Sequence, residues 1–287
     1  MESFSFHSAY IHDFIQRALA EDIGDGDHSA MAAISPEAKG AAYILYKEAG
    51  IVAGLELAAG ILHTLDPEAR LEVIVPDGTL VEPGTRVATA RGSVRSLLGA
   101  ERLILNCMQR LSGIASTTAK AVEAVKPYPV KLLDTRKTTP GLRPLEKWAV
   151  TLGGGYNHRF GLFDMIMLKD NHIDHAGGIS KAIKKTLDYL QRSGRNLAIE
   201  VEARNLQDVE EVLRFPEVQR VMFDNFHPDL VKEGVQLVAG RMETEASGGI
   251  NMSNIRDYAP TGVDFISLGF LTHSVKSVDI SMKTLLH

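Results

Sequence analysis

From residue 130 onward the chain alternates short apolar segments with helical stretches, and this alternation limits the fold more than any other feature of the sequence. Successive strand and helix units are typical of a parallel sheet or barrel covered by helices. Six such units within about 150 residues favour a compact α/β barrel over a doubly wound sheet. The predicted strands are 130–133, 164–168, 197–201, 220–223, 243–246 and 263–268.

Before residue 130 the sequence predicts a smaller α+β domain. The segment 96–125 contains no proline and is rich in Leu, Ala, Met and Ile, which predicts one long helix or two helices in line. Pro127 and Pro129 end it. The remaining predicted elements are helices over 10–20 and 55–65 and strands over 42–46, 71–75 and 86–90.

The overall charge excludes some partners. A net charge of -5 argues against nucleic acid or an anionic membrane, because those surfaces attract basic proteins. Cys107 is the single cysteine, which excludes an internal disulfide and suits a reducing compartment. Neither a basic N-terminal leader nor an apolar run of about 20 residues is recognisable. We therefore expect a cytoplasmic protein.

Charged residues and glycines follow all six predicted strands. Ligands of parallel α/β folds bind at the carboxyl ends of the strands, so these residues are candidates for one site. A charge after a single strand is usually only solvated, but six successive polar strand ends predict a common cavity. In chain order the strand ends are Asp134 to Lys137, Lys169 to His172, Glu202, Asp224 with Asn225, Ser247 to Gly249, and Gly269.

The charges predict a ligand that carries several negative groups. Arginine and lysine suit carboxylates and phosphates. The candidate cations are predicted on one side of the site and the carboxylates Glu202 and Asp224 on the other; the cations are Arg136, Lys137, His158, Arg159 and Lys169. Glu202 and Asp224 would repel each other on adjacent strands, and Mg²⁺ beside phosphates is the usual remedy. The alternative is a buried carboxylate that pairs with a nearby lysine or arginine.

Two glycine-rich segments add to the predicted site. Ser247-Gly248-Gly249, followed by an apparent helix over 253–258 and by Gly269, predicts a monophosphate site, although a tight turn is the alternative. The triplet at 153–155 predicts a mobile loop that delivers His158 and Arg159, or only a bend. The chain has neither a G-x-G-x-x-G nor a G-K-[ST] motif, so a nucleoside triphosphate is not expected. Zinc-type His and Cys spacing is likewise lacking.

Four strings carry a resemblance to a known family. They are DTRKTTPGLR at 134–143, GGGYNHRFGLFD at 153–164, LKDNHI at 168–173 and LGFLTHS at 268–274. Together they resemble quinolinate phosphoribosyltransferases, and the similarity extends back to EDIG at 21–24. The resemblance implies an N-terminal open α/β sandwich, 1–115 joined by 275–287, and a partial, seven-stranded α/β barrel of the type II phosphoribosyltransferases over 116–274.

The resemblance also implies an activity and roles for residues. The activity is transfer of phosphoribosyl from phosphoribosyl pyrophosphate to quinolinate with loss of CO₂, giving nicotinate mononucleotide and pyrophosphate in NAD biosynthesis, with Mg²⁺. By matching, the quinolinate carboxylates would be held by Arg136, His158, Arg159 and Lys169, and Lys137 would meet phosphate. Glu202 and Asp224 would face Mg²⁺ and ribose. The 5-phosphate would be bound by Ser247, Gly248, Gly249 and Gly269. Lys137, Lys169, Glu202 and Asp224 would form the catalytic set.

The implied assembly is a homodimer in which Arg102 reaches the site of the neighbouring subunit. Two departures from the family pattern stand out. His28-Ser29-Ala30 replaces a segment that commonly carries hydroxyl residues, and Ala246 stands where a serine is common. Neither departure falls on a charged candidate.

Three other functions stay open from the sequence. A related phosphoribosyltransferase could act on another anionic ring. A barrel lyase could use Lys169 as a Schiff base, although that would leave the arginines unexplained. A phosphate-binding protein without activity would bind the same anions and release no pyrophosphate.

Overall fold

A computed structural model describes Phe6 and residues 8–285. Along the chain the elements are α1 (Ala9–Ile23), α2 (His28–Ala33), β1 (Lys39–Tyr46), β2 (Gly50–Ile51), α3 (Leu55–Leu65), β3 (Arg70–Val73), β4 (Leu80–Val81), β5 (Arg86–Ser93), α4 (Val94–Ala124), β6 (Lys131–Leu133), α5 (Arg143–Leu152), β7 (Ile166–Leu168), α6 (Asp170–Ala176), α7 (Ile179–Ser193), β8 (Ile199–Ala203), α8 (Leu206–Val212), β9 (Arg220–Asp224), α9 (Pro228–Val238), β10 (Glu243–Ser247), α10 (Ile255–Tyr258), β11 (Phe265–Ser267), α11 (Phe270–His273) and β12 (Ile280–Thr284). Within the described part of the chain, no helix has the length and apolar character needed to cross a bilayer.

The elements fall into two compact units. The first extends to Ala119 and also contains Pro144–Gly154 and the segment from Ser274 onward. The second consists of Lys120–Arg143 and Gly155–His273. The predicted boundary lay between residues 115 and 116 and assigned α5 to the barrel. In the structure α5 belongs to the first unit, and this is the main difference.

The first unit is built on an antiparallel sheet in the order β12-β1-β5-β3. Inward side chains of β1, among them Ile44 and Tyr46, are fully buried, as expected for a strand with one face on a core. The Tyr46 hydroxyl lies 2.7 Å from Ser112 Oγ on α4, which satisfies both buried hydroxyls. The strand β12 returns the end of the chain to this sheet.

A single helix, α4, runs through the segment for which one helix or two were expected. Ile104, Met108 and Ala115 lie fully buried along it. At Gly113 a Cβ atom would lie 2.4 Å from the carbonyl oxygen of Lys276, so the close approach of the C-terminal segment requires glycine.

Helix α5 joins the first unit through a buried ion pair. Glu146 is completely buried and accepts hydrogen bonds from Arg110 Nε and NH2 at 3.1 and 2.9 Å. A charge buried to this degree needs such a partner. The sequence around α5 alternates like the barrel and gave no sign that α5 belongs to the first unit. That assignment depends on the ion pair with Arg110, which lies far away in sequence on α4.

The second unit is a parallel sheet in the order β6-β11-β10-β9-β8-β7. Each of the six predicted strands is present, with its ends shifted by up to two residues. The implied seventh strand is reduced to a bridge between Leu133 and Tyr156, on the side of β6 away from β11. The predicted α/β barrel with a smaller N-terminal α/β domain is confirmed.

The segment that follows the three glycines is hydrogen-bonded to the sheet, which favours the bend over the mobile loop; the mobility of the glycines themselves stays a prediction. Tyr156 donates its N–H to the carbonyl of Leu132 at 2.8 Å and accepts from the N–H of Asp134 at 3.0 Å. The His158 N–H then donates to Asp134 Oδ1 at 2.9 Å. This pairing places the cationic residues that follow in a set position.

Candidate active site

A cavity of about 610 Å³ opens at the carboxyl ends of the strands in the second unit. Ligand sites of parallel α/β folds lie at this end of the sheet. The lining comprises Thr135, Arg136, Lys137, His158, Arg159, Met167, Lys169, Glu202, Met222, Asp224, Asn225, Glu245, Ser247, Gly248, Gly249 and Ser267. Most residues predicted for the site therefore lie around one space.

The cations reach the cavity from three places. Arg136 and Lys137 follow β6 and are exposed, while Arg159 is buried and Lys169 follows β7. Desolvation and the positive charge of Arg136 both lower the pKa of Arg159. The two guanidinium groups thus share one region of the cavity, and a negatively charged ligand would relieve their repulsion.

The two carboxylates differ in their partners. Glu202 is buried, forms an ion pair with Lys169 and accepts the N–H of Asp170 at 3.3 Å. Asp224, at the end of β9, accepts a hydrogen bond from Asn225 Nδ2 at 2.9 Å. The sequence placed Lys169 and Glu202 on opposite sides of the site, and that placement is wrong, because the side chains of neighbouring strands β7 and β8 meet.

Beneath the cations lies a buried charged cluster that the sequence reasoning missed. His158 Nε2 is 3.0 Å from Glu200 Oε2 and 3.4 Å from Glu245 Oε2. Arg220 NH1 donates to Glu245 at 2.9 Å. Glu200 and Glu245 are completely buried. The four residues therefore compensate one another, and two of them, His158 and Glu245, also line the cavity.

This cluster fixes His158 in an unexpected way. Burial alone would lower the pKa of His158, but Glu200 and Glu245 raise it to about 9. A ring protonated by these glutamates would carry protons on both nitrogens, but the Arg159 N–H donates to His158 Nδ1 at 2.6 Å, so the hydrogen bond in this structure belongs to the neutral ring with its proton on Nε2. Nε2 faces the buried glutamates, which hold the ring in place, and the same ring lines the cavity.

The loop after β10 brings two glycines to the cavity wall. Gly248 and Gly249 adopt φ values of 91° and 65°, which favour glycine. A Cβ atom at Gly248 would lie 2.3 Å from Asn225 Oδ1. The predicted helix over 253–258 is shorter than expected, because α10 begins at Ile255. The side-chain amides of Asn251 and Asn254 donate instead to the Gly249 carbonyl and close the loop.

Two of the residues with a predicted binding role lie outside the cavity lining, as do the strand-end residues Asp134, Asp170, Asn171 and His172. Gly269 adjoins Lys137, since a Cβ atom there would lie 3.1 Å from Lys137 Cδ. Arg102 lies on α4, in the first unit. Its predicted role in a neighbouring subunit stays a prediction.

Family models match nearly the whole chain. The quinolinate phosphoribosyl transferase N-terminal domain matches residues 27–112, and the C-terminal domain of the same name matches residues 114–283.

Individual proteins resemble the chain over most of its length. A probable nicotinate-nucleotide pyrophosphorylase [carboxylating] of Bacillus subtilis is 45% identical over 91% of this chain and 89% of its own. A chloroplastic nicotinate-nucleotide pyrophosphorylase [carboxylating] of Arabidopsis thaliana is 45% identical over 94% of this chain and 81% of its own. The crystal structure of NadC from Streptococcus pyogenes, 41% identical, superposes with a TM-score of 0.91 over 96% of this chain and 97% of its own.

Proposed function

The chain belongs to the quinolinate phosphoribosyltransferase family, and from that premise we propose that the cavity of its second unit is where the reaction takes place. The enzyme transfers the phosphoribosyl group of phosphoribosyl pyrophosphate to quinolinate, with loss of CO₂, in NAD biosynthesis. It is a pentosyltransferase. Family membership therefore favours this activity over a Schiff-base lyase or a phosphate-binding protein.

One observation carries the assignment of the reaction to this cavity. Arg136, Arg159 and Lys169, from three different strand ends, line the same space as Glu202 and Asp224. Two substrates that carry several carboxylates and phosphates need cations to replace the water that they lose on binding. A site that also stabilises positive charge on the sugar needs carboxylates nearby.

We assign the quinolinate carboxylates to Arg136 and Arg159, with His158 and Lys169 beside them. A planar guanidinium suits a carboxylate because it donates two parallel hydrogen bonds. Met167 and Met222 also line the cavity and offer an apolar surface for the pyridine ring. The sugar phosphate is assigned to the loop of Ser247, Gly248 and Gly249. Gly269 adjoins the Lys137 side chain next to this site.

The chemistry follows from where the charges lie. The pyridine nitrogen of quinolinate attacks the anomeric carbon as its bond to pyrophosphate breaks, and positive charge on the ribose ring is stabilised by Asp224 and Glu202. Lys137 is placed to stabilise the leaving pyrophosphate. The bond to the 2-carboxylate then breaks, CO₂ leaves, and the positively charged ring holds the electron pair until the carbon takes a proton.

A magnesium ion fits this donor set. Glu202 and Asp224 provide carboxylate oxygens at one cavity wall, and Mg²⁺ needs only one or two protein carboxylates when phosphates and water complete its shell. When bound with the substrate, it would neutralise phosphate charge. Lys169 holds Glu202 in this structure, so Asp224 is the more accessible ligand.

The reaction and its metal dependence can be tested together. The purified protein with Mg²⁺, phosphoribosyl pyrophosphate and quinolinate should release CO₂ and pyrophosphate in equal amounts and form nicotinate mononucleotide. Removal of divalent cations by a chelator should abolish turnover, and added Mg²⁺ should restore it. Pyrophosphate release without CO₂ would mean hydrolysis of phosphoribosyl pyrophosphate or transfer without decarboxylation, and would refute the proposed reaction. No release of either product with quinolinate would point to another anionic ring, and full turnover without divalent cations would refute the metal assignment.

We also propose a homodimer in which Arg102 of each subunit serves the cavity of the other. The support is the family resemblance together with the position of Arg102 on the first unit.

Subunit mixing tests this sharing. Arg102→Ala and Asp224→Asn dimers should each be nearly inactive, whereas randomly mixed subunits should regain about a quarter of the wild-type activity. Half of all dimers then combine one subunit of each variant, and each of these mixed dimers contains one cavity with both an intact acid and the arginine of the other subunit. If Arg102 served its own subunit, no mixed dimer would hold a complete cavity, and activity would stay at the level of the parents.

For the cellular location we propose the cytoplasm. The support is the composition of the chain, with a single cysteine and a net charge of -5.

A further inference from the structure

One arginine that does not line the cavity joins the two loops that carry its cations. The first loop, 134–142, follows β6, and the second loop, 157–164, follows the bridge at Tyr156. Arg143 Nε donates to Thr138 Oγ1 at 3.0 Å, and its NH2 group donates to the carbonyl of Arg136 at 3.3 Å. Its NH1 group donates to the carbonyl of Phe160 at 3.0 Å.

Electrostatic repulsion between their cations acts to push the two loops apart. The first loop carries Arg136 and Lys137, and the second carries Arg159, whose pKa is lowered by desolvation and by the charge of Arg136. Like charges that share a partly desolvated region repel each other. The repulsion is greatest in the empty site, before an anionic ligand arrives.

Other hydrogen bonds also hold the loops, and one of them, from the Arg159 NH1 group to the carbonyl of Met165 at 3.2 Å, anchors that guanidinium on one side. Asp134 and His158, the residues that begin the two loops, are joined by the hydrogen bond from the His158 N–H. Asp164 accepts the N–H groups of Phe160 and Gly161 within the second loop. The Lys137 carbonyl accepts from Thr272 Oγ1 at 2.7 Å, outside both loops. Arg143 therefore adds a link at the far side of the loops, next to Arg136.

We propose that Arg143 is a positioning residue that sets the distance between Arg136 and Arg159 to suit the two adjacent carboxylates of quinolinate. This inference rests on the proposed function, which assigns those carboxylates to the two arginines. Arg143 is absent from the residues that line the cavity in the described part of the chain, so it acts through the loops.

The geometry requires an arginine. The three acceptors lie in different directions, and a planar guanidinium offers donors in fixed directions on three nitrogens. A lysine keeps the charge but has one nitrogen on a flexible stem, so it can hold one loop well but not both. A methionine keeps much of the apolar stem and donates no hydrogen bond to either loop.

The test compares Arg143→Met, Arg143→Lys and Arg136→Ala by steady-state kinetics with each substrate varied. Arg143→Met should raise the KM for quinolinate by about tenfold to a hundredfold, because a misplaced binding group loses much of its contribution. The KM for phosphoribosyl pyrophosphate should change much less, because Thr272 holds Lys137 independently. Arg143→Lys should fall between Arg143→Met and the wild type.

A matched control comes from the same unit. Arg241 donates to the carbonyls of Val238 and Leu237 at the end of α9 and touches neither loop. Arg241→Met should leave both KM values unchanged. Thermal unfolding of every variant separates a loss of stability from a selective loss of quinolinate affinity.

Each outcome decides between the proposals. A quinolinate KM that is normal in both Arg143 variants but raised in Arg136→Ala would overturn the positioning role alone. A normal quinolinate KM in Arg136→Ala would overturn the assignment of the carboxylates, whatever Arg143 does. Equal rises in both KM values with a lowered Tm would reduce Arg143 to a structural role. If Arg143→Met does not fold, Arg143→Lys decides, and wild-type kinetics would refute the proposal.

Discussion

Asp224→Asn is expected to lower kcat by about 10² to 10³, which corresponds to about 3 to 4 kcal/mol of transition-state stabilisation. The carboxylate lies at the end of β9 and lines the cavity. Positive charge develops on the ribose ring as pyrophosphate departs, so a negative charge here acts mainly on the transition state. An amide of the same size keeps the contact with Asn225 and removes only the charge.

The selectivity of the effect is as informative as its size. The KM for quinolinate should stay within about threefold of the wild type, because the arginines that bind its carboxylates are unchanged. Asp229→Asn is a suitable control, since the Asp229 side chain is 91% exposed at the start of α9 and pairs only with a surface histidine. A normal kcat in Asp224→Asn would remove Asp224 from the catalytic set.

Much of the barrel and its polar rim could be predicted because both depend on local signals. Short apolar segments alternate with helical ones, and the residues that follow each segment must meet at one edge of a parallel sheet. This logic placed Arg136, Lys169, Glu202 and Asp224 around one cavity without knowledge of contacts. The seventh strand that the resemblance implied corresponds to a single bridge at Tyr156, and the periodicity gave no sign of it because the bridge leaves no apolar run in the sequence.

The buried cluster escaped for a different reason. Glu200 precedes Glu202 by two residues on β8, so both side chains point to the same face of the strand. Glu245 is level with Glu202 in the sheet, because both are paired with Met222 of β9, and it stands two residues before Ser247 on β10. Reading only the strand ends assigned these interior positions to the apolar core. A search for charged residues two positions before each strand end would have found both.

The contacts between distant segments lay beyond the sequence. The pairing of Lys169 with Glu202 and the three hydrogen bonds of Arg143 depend on how far loops extend and in which direction side chains point. No periodicity records those distances. The sequence therefore predicted which charged residues surround the cavity, but not which of them form ion pairs or hydrogen bonds with one another.

Gly248→Ala is expected to lower kcat/KM for phosphoribosyl pyrophosphate by about a hundredfold or more, because it disturbs the phosphate loop and its neighbour together. The residue has a φ of 91°, which strains any other side chain by about 1 to 3 kcal/mol. Its new Cβ atom would also lie 2.3 Å from Asn225 Oδ1 and 2.8 Å from the Asn225 backbone nitrogen. The backbone contact cannot be relieved by a side-chain rotation, so the loop after β10 must move away from β9.

The displacement should reach the acid as well as the phosphate, since Asn225 donates to Asp224 and its own N–H bonds the Ser247 carbonyl at 2.8 Å. Gly240→Ala is a control that introduces backbone strain without a steric clash. Gly240 has a φ of 72°, no atom lies within 4 Å of the added Cβ, and the residue lies outside the cavity. That variant should lose some thermal stability and keep its kinetics. If Gly248→Ala behaved like Gly240→Ala, with a lower Tm and an unchanged affinity for phosphoribosyl pyrophosphate, the phosphate could not bind at this loop.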